Sequence, residues 1–171
     1  YDLAGFCVGI VEKENILPSD KISAGDILIG ISSSGVHSNG YSLINKIIDN
    51  DYKKLNEVLD NETLGQLLLT PTRIYVESLM PLIKNKLIKG LAHITGGGIT
   101  ENIPRILQKN LCAEIDTGAW IMPSIFNWIQ DQSCIENDEM YKVYNCGIGM
   151  VLTCDKQNVH EIVNTINKDY P

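Results

Sequence analysis

The chain has 171 residues, 44% hydrophobic and 20% charged, with a formal net charge of -7. That length and apolar content suffice for one buried core and exclude a disordered chain, while the acidic balance argues against a nucleic-acid partner, which needs clustered Lys and Arg. No apolar run reaches the roughly 20 residues that cross a bilayer, so a soluble protein without a membrane partner is expected.

The sequence opens at Tyr1 rather than Met and without a charged leader, which reads as a piece of a longer polypeptide. Ala4 to Val11 is an apolar run that predicts a buried strand, and a turn around Pro18-Ser19-Asp20 leads to a second strand over Gly25 to Ile31. The loop Ser32 to Ser42, SSSGVHSNGYS, follows. Leu43, Ile44, Ile47 and Ile48 then fall on one helical face, with Ser38 or Asn39 placed to cap. Asp49 to Leu69 reads as a connection with a short helix. The next helix has Thr70 as cap, Pro71 at its first position, Tyr75, Leu79 and Leu82 inward, and an end near Asn85.

From Leu91 the strand, glycine loop and helix plan repeats. Leu91 to Ile94 is apolar, Thr95-Gly96-Gly97-Gly98 is the loop, Thr100 is a candidate cap, and Ile103, Ile106 and Leu107 share a face. Cys112 to Asp116 predicts a strand, Pro123 to Ile129 a short helix with Ile125, Trp128 and Ile129 inward, and Cys146 to Cys154 another strand. Val159, Ile162, Val163 and Ile166 mark a final amphipathic helix. Strands and helices mingle without strict alternation, so the expected fold is α+β, a mixed β-sheet flanked by helices.

Gly35 and Gly40 have the spacing of a nucleoside-triphosphate loop, but Tyr41 stands where that loop needs its lysine. The glycine fingerprint of dinucleotide folds is absent too. What remains is two loops of small residues, each leading into a helix, where exposed N–H groups favour an anion. Their plainer reading is a pair of tight turns. His37 lies inside the first loop among Ser and Asn and is the better functional candidate. For His93, with apolar neighbours, a core position bonded to backbone is the plainer reading; His160 is expected in solvent. Asn39, Asn102 and Asn145 both donate and accept, and serve ligands and caps equally well. Arg73 and Arg105 are two of few arginines near these elements; Arg105 suits either a phosphate or a surface ion pair. Five cysteines without C-x-x-C spacing suggest reduced thiols and neither a disulfide framework nor a metal site, with Cys146 a small buried residue.

Taken in order, YDLAGFCVG, SSSGVHSNGYSL, TPTRIYV, AHITGGGITENIPR, FNW and MYKVYNCGIGM resemble the C-terminal domain of the phosphoribosylformylglycinamidine cyclo-ligase (aminoimidazole ribonucleotide synthetase) family. The likeness runs from Tyr1 to about Ile166 and is weakest over Asp49 to Leu69 and in the last helix. It implies an ATP-dependent ring closure in purine biosynthesis: the formyl amide oxygen of formylglycinamidine ribonucleotide is activated as a phosphate ester, and the amidine nitrogen attacks to close the imidazole, giving ADP and phosphate. By the same likeness residues 1–171 are one C-terminal domain. An N-terminal domain, absent from this chain, would supply most of the ATP and Mg2+ site and the main contact of a cytoplasmic homodimer. This domain alone would then bind no cofactor and turn nothing over. Carried over by motif, His37 is expected to contact substrate or transfer a proton, with Ser33, Ser34, Gly35, Ser38, Asn39 and Gly40 around it. Asn39 is expected to meet the substrate's polar groups; Thr95, Gly96, Gly97, Gly98 and Asn102 match the second substrate-binding motif, with Gly96 to Gly98 expected to hold phosphate, and Asn145 sits in the third. A noncatalytic ligand-binding or assembly domain, and a related synthetase or kinase acting on another phosphorylated small molecule, are the competing readings.

Overall fold

A computed structural model describes residues 4–168. Its central sheet has three strands, β1 (Ile27–Ser32), β4 (Gly90–His93) and β5 (Ile148–Cys154), in the order β1-β5-β4, and both pairings are antiparallel. Between them in chain order lie α1 (Tyr41–Ile48), a two-stranded hairpin of β2 (Val58–Leu59) and β3 (Glu62–Thr63), α2 (Leu64–Leu69) and α3 (Val76–Lys84). After β4 come α4 (Gly98–Asn102), running into a 3-10 turn over Ile103–Ile106, then α5 (Ser124–Ser133) and α6 (Asn137–Val143); α7 (Val159–Ile166) follows β5. The α+β expectation holds, and every bonded strand pair among the described residues is antiparallel.

Alternation along the strands loads both faces of the sheet. Ile31, Leu152 and Cys154, with Ile27 and Ile29, pack beneath Tyr75, Leu79 and Leu82 at and along α3 and beneath Ile162 and Ile166 of α7. On the other face Ala92, Val151 and Ile148 meet Ile99, Ile103 and Ile106. A third cluster lies beside the sheet, where Ile44 and Ile48 of α1, Leu64 and Leu68 of α2, Phe126 and Ile129 of α5 and Met140 of α6 close around Tyr144. The inward faces predicted for α1, α5 and α7 are those observed.

Three expected elements differ. Ala4 to Val11 forms no strand: Phe6, Val8 and Ile10 are fully exposed, because no strand among the described residues lies beside them to take their backbone hydrogen bonds. The first residues of that motif, 1–3, lie outside the described residues. Cys112 to Asp116 is also irregular. The helix assigned from Thr70 starts only at Val76, because residues 70–75 are spent on other contacts: Thr70 Oγ1 donates to the Gln66 carbonyl, and the Pro71 carbonyl accepts from Ser34 Oγ. The connection before it holds more structure than its polarity suggested. α2 starts on a reciprocal cap, in which Thr63 Oγ1 accepts from Gln66 N–H while Gln66 Oε1 accepts from Thr63 N–H.

Candidate functional site

Because β1 and β4 each run antiparallel to β5, they run the same way as each other and deliver their loops to one edge of the sheet. Met150 makes the registration explicit, since it pairs with Ile31 on one side and His93 on the other. Next to it, Gly149 leaves room for what gathers there: a Cβ at this position would stand 2.7 Å from His37 Cε1 and closer still to the Tyr75 hydroxyl.

The first loop is braced from within. Ser33 Oγ donates to Asn145 Oδ1 at 2.9 Å, Asn145 Nδ2 donates to the Gly35 carbonyl at 2.8 Å, and Gly147 N–H returns to Asn145 Oδ1 at 2.9 Å. Asn145 is 3% exposed, so its amide holds the loop and does not face solvent. Ser38 Oγ lies 3.3 Å from Thr72 Oγ1, tying the loop to the 70–75 segment. Neither Ser38 nor Asn39 caps α1. Gly40 does so with φ 79°, and it must be glycine for a second reason: the Tyr144 ring occupies the place of a Cβ, and its hydroxyl donates to the Gly40 carbonyl at 3.0 Å.

The second loop is held in the same way by Asn102, 4% exposed, whose Nδ2 donates to the Gly98 carbonyl at 2.8 Å and the Gly96 carbonyl at 3.2 Å. Thr95 Oγ1 is 3.5 Å from Asn102 Oδ1. Thr100 is not a cap; its hydroxyl donates to the Tyr141 carbonyl. Gly97 and Gly98 take φ 96° and 55°. Among the described residues neither Gly96 nor Gly97 N–H has a protein acceptor. The two loops meet at Asn39, whose Oδ1 would be 3.4 Å from a Cβ on exposed Gly96. Arg105 takes the surface role: Nη1 donates to Asn102 Oδ1 at 3.1 Å, and Nη2 lies 4.0 Å from Glu101.

His37 is 5% exposed with φ 59°. Its Nε2 accepts from Ser34 N–H at 3.1 Å, which places the ring proton on Nδ1, and Nδ1 is buried without a protein partner. Burial first, then the charges of His93 and Arg73, lower its pKa from 6.5 to about 4. At neutral pH it is an uncharged hydrogen-bond donor. Nδ1–H can then donate to a ligand, the first of the two roles expected of His37.

Two neighbours complete this corner. Arg73 Nη1 donates to the Ser32 carbonyl at 3.1 Å and to Ser32 Oγ at 2.6 Å, and the Tyr75 hydroxyl donates to the same carbonyl at 3.0 Å. The Tyr75 ring centre lies 6.4 Å from both the His37 and the His93 rings. His93 is exposed, not a core residue, because β4 ends with it. Sequence reasoning gave Tyr75 to the core and singled out Arg73 without a role; the TPTRIY string, with one of the chain's two arginines two positions before a buried aromatic, was the available signal.

Mg2+ requires several oxygen donors, and among the described residues no group of three or more His, Cys, Asp or Glu converges. Glu101, the carboxylate next to Gly97, is exposed, and one carboxylate does not fit a metal-nucleotide site. A groove of about 1100 Å³ runs beside β1, lined by Leu28, Ile103, Leu111 and Trp120 with Asp26, Glu114 and Asp116. It includes none of the expected site residues, and its carboxylates have the wrong sign for a phosphorylated ligand. No helix of the described residues is long and apolar enough to cross a membrane.

Residues 23–169 match the family described as AIR synthase related protein, C-terminal domain. The chain is 52% identical over 153 residues to phosphoribosylformylglycinamidine cyclo-ligase of Neisseria gonorrhoeae, covering 89% of this chain and 44% of that protein. It is 52% identical over 161 residues to the Nitrosococcus oceani protein of the same name, covering 94% and 45%. A third, from Caldanaerobacter subterraneus subsp. tengcongensis, is 51% identical over 171 residues, covering 98% and 51%. The chain thus spans about half the length of the curated relatives it matches.

Proposed function

The chain belongs to the family of AIR synthase related proteins as a C-terminal domain, and from that premise we propose that it forms the substrate-side half of a phosphoribosylformylglycinamidine cyclo-ligase. The observation that carries this reading is the joint delivery of two braced loops to one sheet edge, where Asn39 of the first lies close beside Gly96 of the second. Two fixed loops hold a ligand at two points, and positioning is the larger part of what an intramolecular ring closure needs.

In this reading Asn39 and Ser38 meet the polar groups of formylglycinamidine ribonucleotide, and the N–H groups of Gly96 and Gly97 face a phosphate or transferred phosphoryl oxygen. Neutral His37 donates through Nδ1–H toward negative charge. Asn102, Asn145 and Ser33 act one step removed, by fixing the loop carbonyls so that the N–H groups point outward. ATP with Mg2+, held by the N-terminal domain that the family likeness implies, would supply the phosphoryl group that activates the formyl oxygen. A homodimer in the cytoplasm completes the proposal.

The test is ATP-dependent formation of aminoimidazole ribonucleotide by the full-length protein, alone and with Asn39→Ala. Ring closure in the unmodified protein and at least a tenfold loss of kcat/KM in the variant are expected. No ring closure overturns the reading. Protection of the protein from thermal unfolding by a different phosphorylated substrate, in place of this one, would assign it to a related synthetase or kinase.

A further inference from the structure

The turn that carries Asn145 into β5 is held in a conformation its sequence does not favour. Ile148 N–H donates to the Asn145 carbonyl at 2.9 Å, and the two residues between them, Cys146 and Gly147, take φ 49° and 100°. Glycine accepts such angles freely, but a Cβ makes them unfavourable, so Cys146 keeps this shape only where its surroundings impose it. We infer that Trp120 imposes it and so acts as a positioning residue for the first glycine loop, working through Asn145. This rests on the cyclo-ligase reading only in naming the reaction that the loop serves.

The Cys146 carbonyl and the Gly147 N–H belong to one planar peptide unit. Trp120 Nε1 donates to the carbonyl at 2.9 Å, and the N–H donates to Asn145 Oδ1 at 2.9 Å, so the plane is clamped at both ends. Fixing the carbonyl fixes the direction of the N–H, and with it the Asn145 amide, whose Nδ2 holds the Gly35 carbonyl at 2.8 Å. The Gly147 carbonyl accepts from Ser33 N–H at 2.8 Å, so the loop hangs on this turn from two points. Trp120 also closes on the turn from the side: a Cβ on Gly147 would stand 3.5 Å from Trp120 Cδ1 and 2.6 Å from Pro123 Cδ. A preceding turn delivers the indole, with Asp116 Oδ1 accepting from Gly118 N–H at 2.9 Å and the Asp116 carbonyl from Ala119 N–H at 3.1 Å. Trp120 is half-buried and lines the groove beside β1, so a smaller ring there widens an existing opening rather than emptying a sealed core. Its N–H, not its bulk, is what holds the peptide plane.

The chain has two tryptophans, and the other indole donates to Glu57 Oε2 at 2.7 Å. Trp128→Phe is therefore the matched control, since it removes a comparable bond elsewhere. Amide hydrogen exchange is followed in this chain at neutral pH against the slowest β5 amides, which report global opening. Urea curves check that each variant folds. Trp120→Phe should speed exchange of the Gly147 N–H about tenfold or more, the scale of one hydrogen bond, while Trp128→Phe leaves it within about twofold. Benzothienylalanine at position 120 keeps the two-ring shape without the N–H and should act as Trp120→Phe does, which covers the case in which the smaller ring disturbs folding. Unchanged Gly147 exchange with the N–H removed, or an equal effect of Trp128→Phe, overturns the role.

The full-length protein separates this from the broader reading. There Trp120→Phe should raise KM for formylglycinamidine ribonucleotide about fivefold or more and lower kcat less, because a loosened loop weakens binding first, while Trp128→Phe leaves both within about twofold. An unchanged KM in a folded Trp120→Phe, with ring closure intact, would remove the positioning role and leave the cyclo-ligase standing. Absence of ring closure in the unmodified protein would remove the cyclo-ligase, and Gly147 exchange would still decide whether Trp120 holds the loop.

Discussion

Asn145 clasps the first glycine loop across 110 residues of chain, its Nδ2 donating to the Gly35 carbonyl at 2.8 Å while its Oδ1 accepts from Ser33 Oγ at 2.9 Å. Replacing it with Ala would leave the Gly35 carbonyl, Ser33 hydroxyl and Gly147 N–H without their partner in a buried place. A loss of about 2 to 3 kcal/mol is expected, since each such orphan is worth about 1 kcal/mol or more and some recover water. Urea unfolding of the variant measures it; a loss under about 0.5 kcal/mol would show that the clasp is dispensable.

His37 makes stability depend on pH in a stated direction. Its folded pKa, about 4, lies below the unfolded value of 6.5, so the unfolded chain binds the extra proton in between. The stabilisation is complete above pH 6.5 and is lost as pH falls through that window toward 4. The slope contributed approaches about 1.4 kcal/mol per pH unit, one proton. Carboxylates titrate at the low end as well, so the comparison is with His37→Gln, whose unfolding midpoint should fall less steeply between pH 6.5 and 5. Parallel curves for the two proteins would contradict it.

Gly98 is closed to any side chain. Its φ is 55°, and a Cβ would come within 2.7 Å of the Tyr141 carbonyl carbon and 2.8 Å of the Tyr144 oxygen. Gly98→Ala should destabilise by about 2 to 5 kcal/mol, from left-handed backbone plus overpacking. Gly25, with φ 92° and nothing within 4 Å of its Cβ, is the internal comparison. Gly25→Ala should lose only the backbone part, about 1 to 2 kcal/mol. Equal losses in the two variants would mean that contact with α6 does not matter.

The five cysteines divide by exposure. Cys7, Cys112 and Cys134 are exposed and Cys146 and Cys154 are buried; burial pushes the Cys146 thiol up to about 12. A thiol reagent at pH 8 should therefore modify three groups quickly and the remaining two only after denaturant is added. Rapid modification of Cys146 in the native protein would reopen a nucleophilic role for it.

Where the sequence could be read, one local rule decided the outcome. The apolar stripes of α1, α5 and α7 each need only a single packed face, and Ile44, Ile129 and Ile162 are buried as their spacing required. The loops were visible as clusters of small residues between a strand and a helix. What was hidden depends on partners distant in sequence. Ala4 to Val11 has a buried strand's composition but no neighbouring strand among the described residues. Thr70 and Pro71 carry a helix-start signature that contacts to Ser34 and Gln66 override. Asn102 and Asn145 looked like ligand groups because an amide that binds a ligand and one that braces a loop are the same residue type; only burial separates them. His93 was given to the core by its apolar neighbours, although the strand simply ends there.

The single strand β5 lies between the two that carry the loops. Their spacing is therefore a sheet dimension, two inter-strand steps of about 4.8 Å each, and it cannot change without breaking a ladder of hydrogen bonds. Under the proposed function such a frame would act as a fixed caliper, selecting ligands by the distance between their two anchoring groups, so that shortening or lengthening a ligand by one bond should be felt at both ends at once.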